Sequence, residues 1–210
     1  LNPSIVTQPV TFTATVTAVT PGAGVPTGTV TFKDGATVLG VVALAGGQAQ
    51  LTTSALVVGG HGITAEYSGD GSFLASTGGM SQQVDKAPTT TALVATPNPS
   101  IFGQNVLITA TVTPGVFVGV PTGTIQFYDG MILLASVPLD GAGQASLSIA
   151  SLTAGPHTLT ATYWGDGVYL ASNGAIQQIV QQAGTMTSLS SALNPSIVTQ
   201  PVTFTATVTA

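Results

Sequence analysis

The groups in this chain that could do chemistry are few, and their positions repeat. Its 210 residues hold two histidines, seven acidic residues, two lysines and no cysteine. His61 and His157 each open a run that ends in Tyr-x-Gly-Asp: His61 leads to Asp70, and His157 leads to Asp166. A metal site needs several ligands converging on one ion, and each histidine stands alone in its run. Each lies two residues before an apolar residue, Ile63 or Leu159, that strand alternation turns inward. A structural role is therefore preferred for both over metal binding. Asp70 and Asp166 invite a calcium reading, because Asp and Gly dominate calcium loops. Calcium wants six to eight oxygens and usually several carboxylates. Glu66 is the one local helper of Asp70, and Thr162 replaces it in the second copy, so turn capping is the preferred reading. Asp34-Gly35 and Asp129-Gly130 lie between strand-like runs and read as hairpin turns of type I′, with positive φ at both centres. No nucleophile–base pair, carboxylate dyad, phosphate-binding loop or metal cluster is visible, so neither catalysis nor a cofactor is expected.

The remaining reactive or adhesive candidates are isolated. A lysine isopeptide cross-link would need a buried lysine in each copy, but Lys33 aligns with Tyr128 and Lys86 with Gln182. No Asn-x-Ser/Thr acceptor exists, because proline follows each asparagine that has serine after it. The many threonines remain candidate sites for O-linked glycan. Trp164, the lone tryptophan, points away from Tyr163 by alternation, which makes it a candidate interface residue. Phe117 is a second, at the apolar tip Val116-Phe117-Val118 of a loop whose counterpart at Gly22–Val25 carries no aromatic residue.

The elements that must position these residues are written in a long repeat. The first eighteen residues, Leu1–Ala18, return unchanged as Leu193–Ala210, and a degenerate copy begins at Pro97. The Asn-Pro-Ser within them falls at Asn2, Asn98 and Asn194, a spacing of 96 residues each time. A period of that length carried by strand-like sequence means tandem domains. Short runs of Val, Thr, Ile and Phe, punctuated by Gly, Pro or Asp-Gly, carry no helical periodicity. In the run Val10–Thr17, Val10, Phe12, Ala14 and Val16 share one face and the threonines take the other. The expected organisation is a domain over 1–86 lacking its opening strand, a complete domain over 87–182, and the first two strands of a third over 183–210. Linkers as short as Asp85-Lys86-Ala87-Pro88 predict a stiff, extended array.

Charge excludes some partners. Only 4% of residues are charged, against about 25% in ordinary globular domains. With a net charge of −5 and no arginine, nothing could neutralise the phosphates of nucleic acid. No apolar run is long enough for a membrane-spanning helix. A surface this poor in charge has little self-repulsion and tolerates close packing against other copies. The chain starts at Leu and shows no signal peptide, which points to a processed product or a window cut from something longer; a window on a periodic fibre is preferred to strand exchange between chains because it needs no special assembly chemistry.

Three motifs in order carry a family resemblance. They are Asn-Pro-Ser with Thr-Ala-Thr-Val downstream, then Pro-Thr-Gly-Thr-Val/Ile-x-Phe-x-Asp-Gly, then His-x-Ile/Leu-x-Ala-x-Tyr-x-Gly-Asp. Together they resemble the Ig-like repeat domains of large bacterial surface and adhesin-type proteins, over the whole chain. The resemblance implies tandem all-β, immunoglobulin-like antiparallel sandwiches of about seven strands each. It implies for His61 and His157 a structural corner whose polar tip bonds nearby backbone. It also implies extracellular display on a bacterial cell surface and no catalysis. The expected function is a structural segment of a filament, sheath or long adhesin stalk, with adjacent repeats or other copies as partners. The alternative is a module that binds carbohydrate or a host surface through loops at one end of the sandwich.

Overall fold

The structure is a computed structural model and describes residues 1–115 and 119–210. Every element of the described chain is a β-strand. In the first domain these are β1 (Ser4–Ile5), β2 (Val10–Thr15), β3 (Thr29–Asp34), β4 (Thr37–Ala43), β5 (Gln48–Thr53), β6 (Gly59–Tyr67) and β7 (Ser76–Asp85). They form one sheet in the order β1-β7-β6-β3-β4 and a second of β2 and β5. The second domain comprises β8 (Thr89–Thr96), β9 (Ser100–Ile101), β10 (Val106–Pro114), β11 (Thr124–Asp129), β12 (Ile132–Pro138), β13 (Gln144–Ile149), β14 (Gly155–Tyr163) and β15 (Ser172–Gln181). Its sheets are β12-β11-β14-β15-β9 and β13-β10-β8. Two further strands, β16 (Met186–Ser191) and β17 (Phe204–Thr209), pair only with each other. The chain is thus all-β, with two tandem immunoglobulin-like sandwiches.

Alternation produces these layers. Along β2 and β10 every second residue is apolar, and those residues face the opposite sheet. Val10 and Phe12 pack with Val30, Phe32, Ile63 and Tyr67; Val106 and Ile108 pack with Ile125, Phe127, Leu159 and Tyr163. Burying each large apolar side chain favours folding by roughly 1.5–3 kcal/mol, so the two faces hold each sandwich without disulfides.

Seven strands in the first domain and eight in the second agree with the expected number of about seven each. They include two-residue strands that periodicity cannot reveal: Ser100–Ile101 runs parallel to the end of β15, and Ser4–Ile5 does the same beside β7. One expectation needs correction: the hairpin differs from the type expected of Asp-Gly. A register shift between Phe32 and Lys33 brings Asp34 opposite Thr37, so the loop is Gly35–Ala36. Only the first loop residue has positive φ, +55° at Gly35, which is the pattern of a type II′ turn rather than I′. The second copy repeats this: Asp129 pairs with Ile132 and Gly130 has φ of +56°. Each aspartate thus lies at a strand end beside a two-residue loop rather than at the centre of the turn.

Candidate functional site

The displaced aspartates meet the histidines. Asp34 on β3 pairs with Ile63 on β6, and His61 lies two residues away on the same face. Its Nδ1 is 2.7 Å from Asp34 Oδ2, and its Nε2 is 2.8 Å from the carbonyl oxygen of Val57. The second copy matches: His157 Nδ1 is 2.7 Å from Asp129 Oδ2, and Nε2 is 2.8 Å from Thr153 O. Both ring nitrogens face acceptors, an arrangement that the doubly protonated ring satisfies. The Val57 carbonyl raises the His61 pKa, burial opposes it, and Asp34 adds to the rise. At His157 burial works against the charge, but Thr153 and Asp129 together outweigh it and raise the pKa. Each pair ties the loop before β6 or β14 to the tip of the neighbouring hairpin.

Asp70 and Asp166 close the opposite set of loops. Asp70 Oδ2 accepts the backbone N–H and hydroxyl of Thr27, at 2.8 and 2.7 Å. Its Oδ1 accepts the N–H groups of Ser72 and Phe73, both at 2.8 Å. Asp166 repeats the arrangement with Thr122 on Oδ2 and with Val168 and Tyr169 on Oδ1. The Thr27 hydroxyl and the surrounding N–H groups hold the Asp70 carboxyl well below the usual range. Burial would raise Asp166, but the Thr122 hydroxyl and three N–H groups lower it to about 2. Four donors point at each carboxylate, and N–H groups aimed at its oxygens leave no lone pairs open toward a cation. Among the described residues, no group of three or more His, Cys, Asp or Glu side chains could hold a metal ion.

The Asn-Pro-Ser motif forms the third clamp. Asn2 Nδ2 donates to Ser81 O at 2.8 Å, and its Oδ1 accepts from Gln83 N at 3.0 Å. Asn98 bonds Gln177 O and Ile179 N in the same way. Ser4 and Ser100 accept hydrogen bonds from the buried amides of Gln82 and Gln178. The asparagine thus mimics a strand and locks the domain's start to its last strand. Sequence reasoning missed these partners; the signals were the recurring Pro-Thr-Gly of Thr27 and Thr122 and the recurring Gln-Gln of β7 and β15.

Trp164 is two-thirds exposed, and its indole N–H donates to Gln126 Oε1 at 2.7 Å. The Tyr128 hydroxyl donates to the same oxygen, also at 2.7 Å. With the fully exposed Met131 they line an open depression on the outer face of β11 and β14. In the first domain Lys33 stands in place of Tyr128 and Ser68 in place of Trp164, and Lys33 is ion-paired at 2.6 Å with Glu66, the counterpart of Thr162. Phe117 lies outside the described residues.

A family model described as bacterial Ig-like domain (group 3) matches residues 1–85 and again 93–181. No curated protein sequence matches the chain. Among solved structures, the titin Z1Z2 domains in complex with telethonin are 17% identical, over 87% of this chain and 91% of that one, with a TM-score of 0.45. The fibronectin(III)-like modules of Clostridium thermocellum CbhA are 18% identical, over 86% and 90%, at 0.38. A tetra-tandem repeat from the extending region of a large adhesion protein is 16% identical, over 96% of this chain and 59% of that one, at 0.42. With two sandwiches whose loops are tied by the same three clamps, and a family model spanning both, this chain belongs to the bacterial Ig-like domain (group 3) family.

Proposed function

We propose that the chain is a load-bearing segment of a tandem Ig-like array displayed outside a bacterial cell, in a filament, sheath or adhesin stalk. One observation carries the reading. The first domain ends at Asp85, whose carbonyl accepts from Val6 N, and Ala87 is already paired with Val168 and Leu170 of the second. Only Lys86 lies between, and its Nζ donates to the Asp166 carbonyl. A connection with no free backbone passes orientation and tension from one sandwich to the next. The three clamps fasten loops and strand ends where an axial load would first pull them apart. The charge-poor exterior supports close approach of neighbouring repeats, and family membership supports display on the surface. The reading assigns no catalysis. Small-angle scattering of the monomeric chain should give a rod with an axial rise of about 40 Å per domain, from strands of ~7 residues at ~3.3 Å each plus turns. A compact two-domain particle would refute it.

A second reading, carbohydrate binding, is favoured by Trp164. An exposed indole and a half-buried phenol, both fixed by Gln126, form the rigid amphipathic surface on which sugar rings stack. The site would lie on the sheet face rather than on the end loops. Trp164→Ala should abolish binding on a glycan array without altering the fold; an array on which the parent chain itself gives no signal rejects this reading.

A further inference from the structure

The aromatic shelf around Trp164 is built in the second sandwich and not in the first. The core takes Ile125 and Phe127 of β11, so Gln126 and Tyr128 alternate outward, and Thr162 and Thr160 of β14 stand beside them in register. Asn173 of β15 flanks Thr162 on its other side, and Trp164 follows the last residue of β14. The first sandwich carries Thr31, Lys33 and Ser68 where the second has Gln126, Tyr128 and Trp164. Its equivalent face therefore has neither ring, and an ion pair between Lys33 and Glu66 stands there instead.

Gln126 sets both rings. An indole N–H can only donate, so the Gln126 atom 2.7 Å from it is the amide oxygen, and the Tyr128 hydroxyl donates to that same oxygen. Both lone pairs of the oxygen are then used, which leaves the amide nitrogen to donate elsewhere. Two aromatic side chains at the surface are thereby ordered before any ligand arrives, and less ordering remains to oppose binding. The depression they line, about 580 Å³, is of the ordinary size for a small-ligand site. The described residues that line it offer ring faces, the hydroxyls of Thr160 and Thr162 and the amide of Asn173, and none of them is charged. Ring faces take the C–H face of a pyranose, while hydroxyls and amides exchange hydrogen bonds with its hydroxyls. A carboxylate or sulfate would lose water here with no cation to replace it, on a chain whose net charge is already −5. An ammonium would meet ring faces but no carboxylate to offset its lost hydration.

We propose that the shelf of Trp164 and Tyr128 binds the pyranose units of an uncharged polysaccharide, with Gln126 as the positioning residue that presets both rings. The inference rests on the carbohydrate-binding reading and names its ligand class. Each chain holds one such site, although it has two sandwiches.

The test is a titration of the full chain followed by the emission of Trp164, the lone tryptophan, which reports on its own ring face. The probes are oligosaccharides of matched length: glucan, mannan and galactan oligomers as the neutral series, galacturonate oligomers as the anionic one and glucosamine oligomers as the cationic one. At least one neutral series should change the emission saturably, with one site per chain by calorimetry and the same affinity at low and high salt. Both charged series should bind at least about tenfold more weakly. Gln126→Leu frees both rings at nearly constant volume and should weaken the neutral series by about tenfold, with circular dichroism showing that it is folded. A charged series that binds as tightly as the neutral ones, or an affinity that falls with salt, overturns this inference and leaves the carbohydrate reading in place. Undiminished binding by Gln126→Leu overturns the role of Gln126. Emission that depends on protein concentration without sugar puts a second copy on the shelf and overturns the proposal. The absence of a response to every probe overturns both the inference and the reading on which it rests.

Discussion

Replacing Gly174 by alanine should destabilise the second domain by roughly 3 kcal/mol, while the same change at Gly78 should leave the first domain unharmed. At Gly174 the new Cβ would stand 2.2 Å from Thr91 O and 3.0 Å from the Thr91 carbonyl carbon. Those atoms are backbone, held by the β8–β10 ladder, so relief requires β8 to move off β15. At Gly78 the space is open, and loss of glycine's unfolded-state freedom favours folding by about 0.5–1 kcal/mol. Trp164 lies in the second domain, so its fluorescence during urea unfolding reports that domain selectively. Circular dichroism follows both. Equal losses in the two variants, measured on dilute monomer, would show that β8 does not hold the second domain as described.

Stability should be highest between about pH 4 and 6.5 and fall on both sides. The acid limb belongs to Asp70 and Asp166. Their folded pKa values lie below the usual 3.8, so the stabilisation is present above that pH and is lost as pH falls through about 2 at Asp166. For the half-buried Asp166 this amounts to about 1–2 kcal/mol after solvent screening. Asp166→Ala leaves three N–H groups and a hydroxyl without their acceptor, costs about 2–3 kcal/mol near neutrality, and flattens the acid limb of the second domain. The alkaline limb belongs to His61 and His157. Their folded pKa values lie above 6.5, so their contribution is present below 6.5 and is lost as pH rises through the folded value. Deprotonation leaves a ring nitrogen's lone pair facing an acceptor. His157→Gln should remove this limb from the Trp164-detected transition; an unchanged slope would exclude the imidazolium as its source.

Much of the fold is legible in the sequence because strands have a period of two and this chain obeys it. The shared face of Val10, Phe12 and Ala14 follows from alternation alone, and the 96-residue unit follows from the spacing of Asn2, Asn98 and Asn194. The type of hairpin is not legible. Asp-Gly satisfies a type I′ turn equally well, and the one-residue bulge after Phe32 or Phe127 arises from pairing with β4 or β12, which leaves no local signal. Pairing of Asp34 with Thr37 and of Asp129 with Ile132 sets both at strand ends, within reach of His61 and His157. The clamps on Asp70 and Asp166 escape for the same reason: Thr27 and Thr122 lie 43 and 44 residues away.

The sequence by itself determined the repeat, the all-β class, the inward faces and the scarcity of charge, because each depends on local pattern or composition. Only the tertiary structure decided which polar groups meet and how closely neighbouring strands approach. Hydrogen-bond partners across a sandwich are set by strand register and sheet order, and Gly78 and Gly174 read alike until one is found against Thr91 and the other in open space.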